Sequence, residues 1–134
     1  MQLKELQLNR CDEVFIDKKQ IYIVDDDESV CRAFKLLMGT YGFPVRTFTS
    51  AEEFFSAVPN SAPGCLILDI HMSGLNGWEA QQKLMKTRSN RPIIIITADK
   101  DSGNKEKALK AGAAGFLQKP FSNQELMDLI NLAF

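Results

Sequence analysis

The run Ile21-Tyr22-Ile23-Val24-Asp25-Asp26-Asp27 decides the fold, because an apolar stretch with no polar break ends abruptly in three carboxylates. Its first four residues read as a strand (β1, 21–24) buried on both faces, the pattern of parallel α/β sheets. The acids then stand at its carboxyl end, the edge at which open α/β folds bind ligands. Asp27 and Glu28 are explained as the cap and first turn of the next helix, where acids are favoured. Asp25 and Asp26 have no such explanation and are candidates for chemistry.

Working outward, Val30, Ala33, Phe34, Leu37 and Tyr41 recur at helical spacing (α1, about 28–41), with Gly42 as a stop signal. Residues 44–49, Pro44 to Thr49, alternate in character as a strand near a sheet edge does (β2). Ser50-Ala51-Glu52-Glu53 is a capping-box sequence opening a helix through Phe54, Phe55 and Val58 (α2, about 51–58). Cys65-Leu66-Ile67-Leu68-Asp69 (β3) repeats the opening theme, adding an acid to the same edge. A loop over 71–77 leads to a helix carrying Trp78, Leu84 and Met85 (α3), and Arg91-Pro92 ends the connection.

Residues 92–98 (β4) are the most hydrophobic strand, as expected at a sheet centre, and reach a hydroxyl at Thr97. A polar loop and a charged helix follow (α4, about 105–111), closed by Gly112. Residues 115–119 (β5) end in the Lys119 ammonium, and Ser122-Asn123-Gln124-Glu125 caps a last helix bearing Leu126, Leu129 and Ile130 (α5, about 123–130). Alternating strands and helices with right-handed crossovers predict a doubly wound, flavodoxin-like (βα)5 sandwich with parallel strand order 2-1-3-4-5. The switch point then falls between β1 and β3.

At 134 residues and 45% hydrophobic, the chain suits one domain with a proper core. Residues 1–19, with only Leu3, Leu6 and Leu8 in a weak pattern, are expected to be an N-terminal extension, and 20–134 the domain itself. Sixteen basic and seventeen acidic residues, without a basic block, argue against nucleic-acid binding by this chain. No membrane-spanning run or signal peptide appears, so a cytoplasmic protein without membrane contact is expected. Cys11, Cys31 and Cys65 form neither a disulfide framework nor a zinc spacing, and Cys31 and Cys65 read as core residues.

The strand ends gather Asp25, Asp26, Asp69, Thr97 and Lys119. Two carboxylates about 4 Å apart repel by roughly 4 kcal/mol at an effective dielectric near 20, so three of them call for compensation. All-oxygen donors point to a hard cation, Mg²⁺ or alternatively Mn²⁺. Metal and lysine together would attract a phosphoryl group, with the Thr97 hydroxyl as a donor.

In order and on the expected strands, Val24-Asp25-Asp26, Leu68-Asp69, Ile96-Thr97-Ala98 and Gln118-Lys119-Pro120-Phe121 resemble the receiver domain of two-component response regulators, as does Lys110-Ala111-Gly112-Ala113. The resemblance runs from about Gln20 to the C-terminus. It implies that Asp69 accepts a phosphoryl group from a phosphohistidine of a sensor histidine kinase or phosphotransfer protein. Such a domain assists its own phosphorylation and dephosphorylation but is a signalling element rather than an enzyme. The resemblance further implies that Asp69, Asp26 and the His71 carbonyl ligate Mg²⁺, that Asp25 acts chiefly through water or hydrogen bonds, and that Lys119 pairs with phosphoryl oxygens. Thr97 and the aromatic Phe116 would form the switch, acting on an α4-β5-α5 face that addresses an output domain, a partner or a second copy in a homodimer. A cis Lys119-Pro120 bond is expected on the same ground.

In the family, the side chains at the positions of His71 and Asp99 influence how fast water attacks the phosphoaspartate, whereas Trp78 reads as packing and Lys105-Glu106-Lys107 as a solvated face open to partners. Ser73 stands where the family commonly has proline, and the apolar ending Leu132-Ala133-Phe134 suggests the receiver portion of a longer regulator. Three rivals compete with this reading. A metal-dependent phosphatase usually needs an acid two residues after its nucleophile, where this chain has His71. A flavin carrier would need a phosphate-binding loop where Asp25-Asp26-Asp27 stands. The remaining alternative is a receiver-like binding module that signals without phosphorylation.

Overall fold

In the computed structural model, residues 19–70, 79, 82–83, 91–100 and 103–134 are described. The expectations for the N-terminal extension up to residue 18, Cys11, the loop from His71, Ser73 and the helix residues Trp78, Leu84 and Met85 lie outside them. Five parallel strands run in the order β2-β1-β3-β4-β5. They span Ile21–Val24, Val45–Phe48, Cys65–Asp69, Ile93–Thr97 and Gly115–Gln118. The central strand is β3, with β4 beside it, so the most hydrophobic strand is interior without being the middle one. Full burial on both faces needs only a covered neighbour on each side, and β4 has β3 and β5.

Pleating sends alternate residues to opposite faces, and two apolar cores result. Ile21, Ile23, Ile67, Ile94 and Ile96 pack with Phe34 and Met38 of α1 (Glu28–Thr40) and Leu126 and Ile130 of α5 (Asn123–Ala133). Tyr22, Val24, Leu66, Leu68 and Ile95 pack on the other face with Phe54 of α2 (Ala51–Ala57) and Ala108 of α4 (Gly103–Lys110). Glu79, Gln82 and Lys83 are helical, within the stretch expected as α3. Among the described residues no helix is long and apolar enough to cross a membrane.

Local signals explain the helix ends. Asp27 caps α1, its carboxylate accepting the Ser29 N–H at 2.9 Å, and Gly42 follows the helix with φ 82°. The α5 capping box forms in full between Ser122 and Glu125. At α2 only half of the expected box forms: Ser50 accepts the Glu53 N–H, but the Glu53 carboxylate accepts from Thr49 rather than from Ser50. Helix α4 begins at Gly103, two residues before the charged run that marks it in the sequence.

Opposite the acidic edge, Arg91 is buried and ties down the loop before β3. Its Nη1 donates to the carbonyls of Pro59 and Ala62 at 2.9 and 2.7 Å, and its guanidinium lies 5.6 and 5.2 Å from the Tyr22 and Phe54 ring centroids. Burial pulls its pKa below the usual arginine value. The Tyr22 hydroxyl donates to the Pro63 carbonyl at 3.2 Å, closing the same loop.

Candidate functional site

The sheet order brings the carboxyl ends of β1, β3, β4 and β5 to one edge, and register fixes their relative heights. Val24 stands opposite Leu68, so Asp25 and Asp69 emerge side by side at the switch point. Asp25 is 1% exposed and Asp69 also buried, while Asp26 is exposed. One carboxylate oxygen from each of the three lies within 4.8 Å of the others.

Asp25 is held firmly. Its N–H donates to the Phe48 carbonyl at 3.0 Å, and its Oδ1 accepts the Asp27 N–H at 3.0 Å. The Cys31 thiol donates to the Asp25 carbonyl at 3.3 Å. Burial, followed by the charge of Asp25, pushes this thiol up to about 11.

Lys119 crosses from β5 to these acids. Its Nζ lies 3.1 Å from Asp25 Oδ2 and 3.5 Å from Asp69 Oδ2. Burial works against the ammonium, but hydrogen bonding to Asp25 and the charges of Asp25 and Asp69 outweigh it and raise its pKa above the ordinary lysine value. The ammonium is therefore charged at neutral pH. Its backbone is fixed as well: the Lys119 N–H donates to the Thr97 carbonyl at 2.7 Å, and the Lys119-Pro120 peptide is cis.

Thr97 is fully buried at the end of β4, and its Oγ1 accepts the Asp99 N–H at 3.0 Å. Phe116 stands opposite Ile95 and packs, half-buried, against the core on the α2 and α4 face. The structure thus brings together Asp25, Asp26, Asp69 and Lys119, with Thr97 at the end of the adjoining strand. His71 lies outside the described residues.

The donor set fits a hard divalent cation. The described cluster offers carboxylate oxygens only, and three acids against one ammonium leave two negative charges in a largely buried space. Reading the sequence alone missed the internal bracing of Asp25 by Asp27 and Cys31. Helical spacing gives a partial signal, since Cys31 lies four residues beyond the cap at Asp27 and its N–H donates to the Asp27 carbonyl at 3.1 Å.

Residues 21–131 match the family model of the response regulator receiver domain. The response regulator protein TodT of Pseudomonas putida is 42% identical over 113 residues, which cover 84% of this chain and 50% of that one. The transcriptional regulatory protein FixJ of Bradyrhizobium diazoefficiens is 35% identical over 116 residues, covering 87% of this chain and 57% of that one. The chain thus spans about half the length of the curated relatives it matches. Among solved structures, the response regulator StyR superposes with a TM-score of 0.81 at 40% identity, covering 87% of this chain and 59% of that one. FixJ-N superposes with a TM-score of 0.79 at 33% identity, covering 86% and 92%. With the acid-lysine cluster at the switch point of a 2-1-3-4-5 sheet, these matches lead to one conclusion: the chain belongs to the response regulator receiver domains of two-component signal transduction.

Proposed function

We propose that this domain is a phosphoacceptor switch in which Asp69 takes a phosphoryl group from a phosphohistidine on a sensor kinase or phosphotransfer protein. The observation that carries this reading is the packing of three carboxylates within 4.8 Å with the Lys119 ammonium set between Asp25 and Asp69. Asp69 Oδ attacks phosphorus, the P–N bond breaks, and its electron pair leaves with the imidazole, which takes up a proton. The product is an aspartyl phosphate, a mixed anhydride.

A carboxylate is a weak nucleophile, so acceleration comes from positioning and from charge placed where the transferring group becomes anionic. Lys119 supplies one such charge, and its two acid contacts keep it aimed at the edge. Asp26, Asp69 and the His71 carbonyl would hold Mg²⁺, with Mn²⁺ as a substitute, and the cation would neutralise phosphoryl oxygens. Both oxygens of Asp25 already accept protein hydrogen bonds, which suits holding the ion through water. Thr97 would exchange its bond from the Asp99 N–H for one to a phosphoryl oxygen, and Phe116 would follow into the space vacated. The change reaches the α4-β5-α5 face, through which the domain addresses its output, partner or second copy. Control of transcription fits the name of the relative FixJ, a transcriptional regulatory protein.

Borohydride trapping tests the reading. After incubation with a phosphohistidine donor and Mg²⁺, reduction should convert residue 69 alone to homoserine, located by peptide sequencing. Homoserine at another aspartate would contradict the assignment of Asp69, and none from a donor that phosphorylates a known receiver would favour a binding module that works without phosphorylation.

A further inference from the structure

The connection between β4 and α4 carries a polar feature at each end, and the second has no place in the phosphoryl chemistry described above. At its start, Thr97 Oγ1 is engaged by the Asp99 N–H. At its end, Asn104, the second residue of α4, is 8% exposed, and its amide Nδ2 is buried with no hydrogen-bond partner among the described residues. Asn104 and Ala108 are the buried residues of α4, and their spacing puts them on one helix face. Ala108 belongs to the apolar core against which Phe116 packs. The rest of α4 is exposed, including Leu109 at 44%. A methyl group and an unsatisfied amide are thus what α4 presents inward. Little apolar burial makes an element locally weak, and a buried donor without an acceptor makes its present position less favourable still.

We propose that Asn104 is a positioning residue of the switch, its unpartnered amide keeping α4 in a metastable resting placement. When Thr97 releases the Asp99 N–H, the connection shifts and the Asn104 amide gains an acceptor. The exchange balances in hydrogen bonds: Asp99 is exposed, so water replaces the acceptor its N–H loses, while a buried donor gains one. By linkage, whatever favours the shifted placement also favours phosphorylation. The proposal rests on the reading of Asp69 as phosphoacceptor.

Asn104→Leu, which removes the donor and fills its space, and Asn104→Ala, which removes it without overpacking, test the proposal in the full chain. Hydrogen exchange of residues 103–110 is followed with and without acetyl phosphate and Mg²⁺, and intact mass on the same samples reports phosphorylation. In the unphosphorylated chain, Asn104→Leu should slow α4 exchange by about tenfold and Asn104→Ala by a smaller factor. Both reduce the population of the shifted placement that takes up the phosphoryl group, so both should lower the phosphorylation rate, Asn104→Leu by about tenfold, and shrink the change in α4 exchange on phosphorylation. A merely structural asparagine would give faster exchange in both variants and an unchanged phosphorylation rate, which would overturn the assignment of Asn104 alone. Failure of the wild type to gain a phosphoryl group would overturn the phosphoacceptor reading, and the coupling with it.

Discussion

Asp69→Asn, which replaces a carboxylate by an uncharged group of the same shape, should make the metal-free protein more stable. The Asp69 carboxylate lies within 4.8 Å of those of Asp25 and Asp26, so at an effective dielectric near 20 each repulsion amounts to about 3.5 kcal/mol or more. The Lys119 ammonium, 3.5 Å away, returns roughly 4.7 kcal/mol on the same scale. The two repulsions exceed this attraction by about 2 kcal/mol. The Asp25–Asp69 pair is buried and little screened by salt, whereas the share from the exposed Asp26 shrinks as salt rises. Asparagine keeps an oxygen toward Lys119 and removes the crowding, for an expected gain of about 1–2 kcal/mol and a rise in Tm of roughly 4–8 °C. The assay is thermal and urea unfolding in EDTA at low and high salt. With saturating Mg²⁺ the wild type gains stability by binding linkage, and the difference should narrow or reverse. An Asp69→Asn protein no more stable than wild type in EDTA, at either salt, would refute the premise that these acids crowd one another, and would remove the electrostatic case for a cation.

Three further outcomes follow from particular groups. Gly64 has φ 137°, and a Cβ there would lie 2.5 Å from the Gln20 carbonyl oxygen and 2.7 Å from Tyr22 Cε2, so Gly64→Ala should cost about 3 kcal/mol in urea unfolding. Burial pushes the Cys65 thiol up to about 12. The unfolded thiol ionises first, so stability should fall as pH rises above about 8.5, by roughly 2 kcal/mol at pH 10, and Cys65→Ala should flatten that decline under reducing conditions. For Lys119 the folded pKa is raised, so its stabilisation is fully present below the unfolded value of about 10.4 and is lost as pH rises through the folded one. The stability difference between wild type and Lys119→Met should accordingly stay constant through neutral pH and shrink only in strong alkali; a decline near pH 7 would contradict it.

Much of the fold was legible because its signals are local. Unbroken apolar runs mark β1, β3 and β4, and each ends in the polar group that the sheet carries to its edge. Asp27 and Ser122 announce their helices by side chains that reach only two or three residues ahead. Register and bracing were not legible, because they are set by partners distant in sequence. The strand order puts Lys119 on the same edge as Asp25, 94 residues away, but does not say which oxygen its ammonium takes. Arg91, which reads as the end of a connection, is a buried clamp on a loop some 30 residues earlier, and no periodicity encodes its two carbonyl partners. Asn104 falls between the polar loop and the helix expected from about residue 105, and it opens the inward face of α4 because the helix begins earlier than its charges suggest. The Glu53 carboxylate shows the limit of a capping motif, since the spacing names the donor turn and not which N–H is taken.

The central claim is that Asp69 is the residue that takes up phosphorus. Intact-mass spectrometry after incubation with acetyl phosphate and Mg²⁺, on wild type and Asp69→Asn with EDTA controls, tests it most directly. The account predicts one added phosphoryl group on wild type in Mg²⁺, and none on Asp69→Asn or on wild type in EDTA. Equal addition to Asp69→Asn, or none to a folded, Mg²⁺-binding wild type that a phosphohistidine donor also fails to modify, would contradict it.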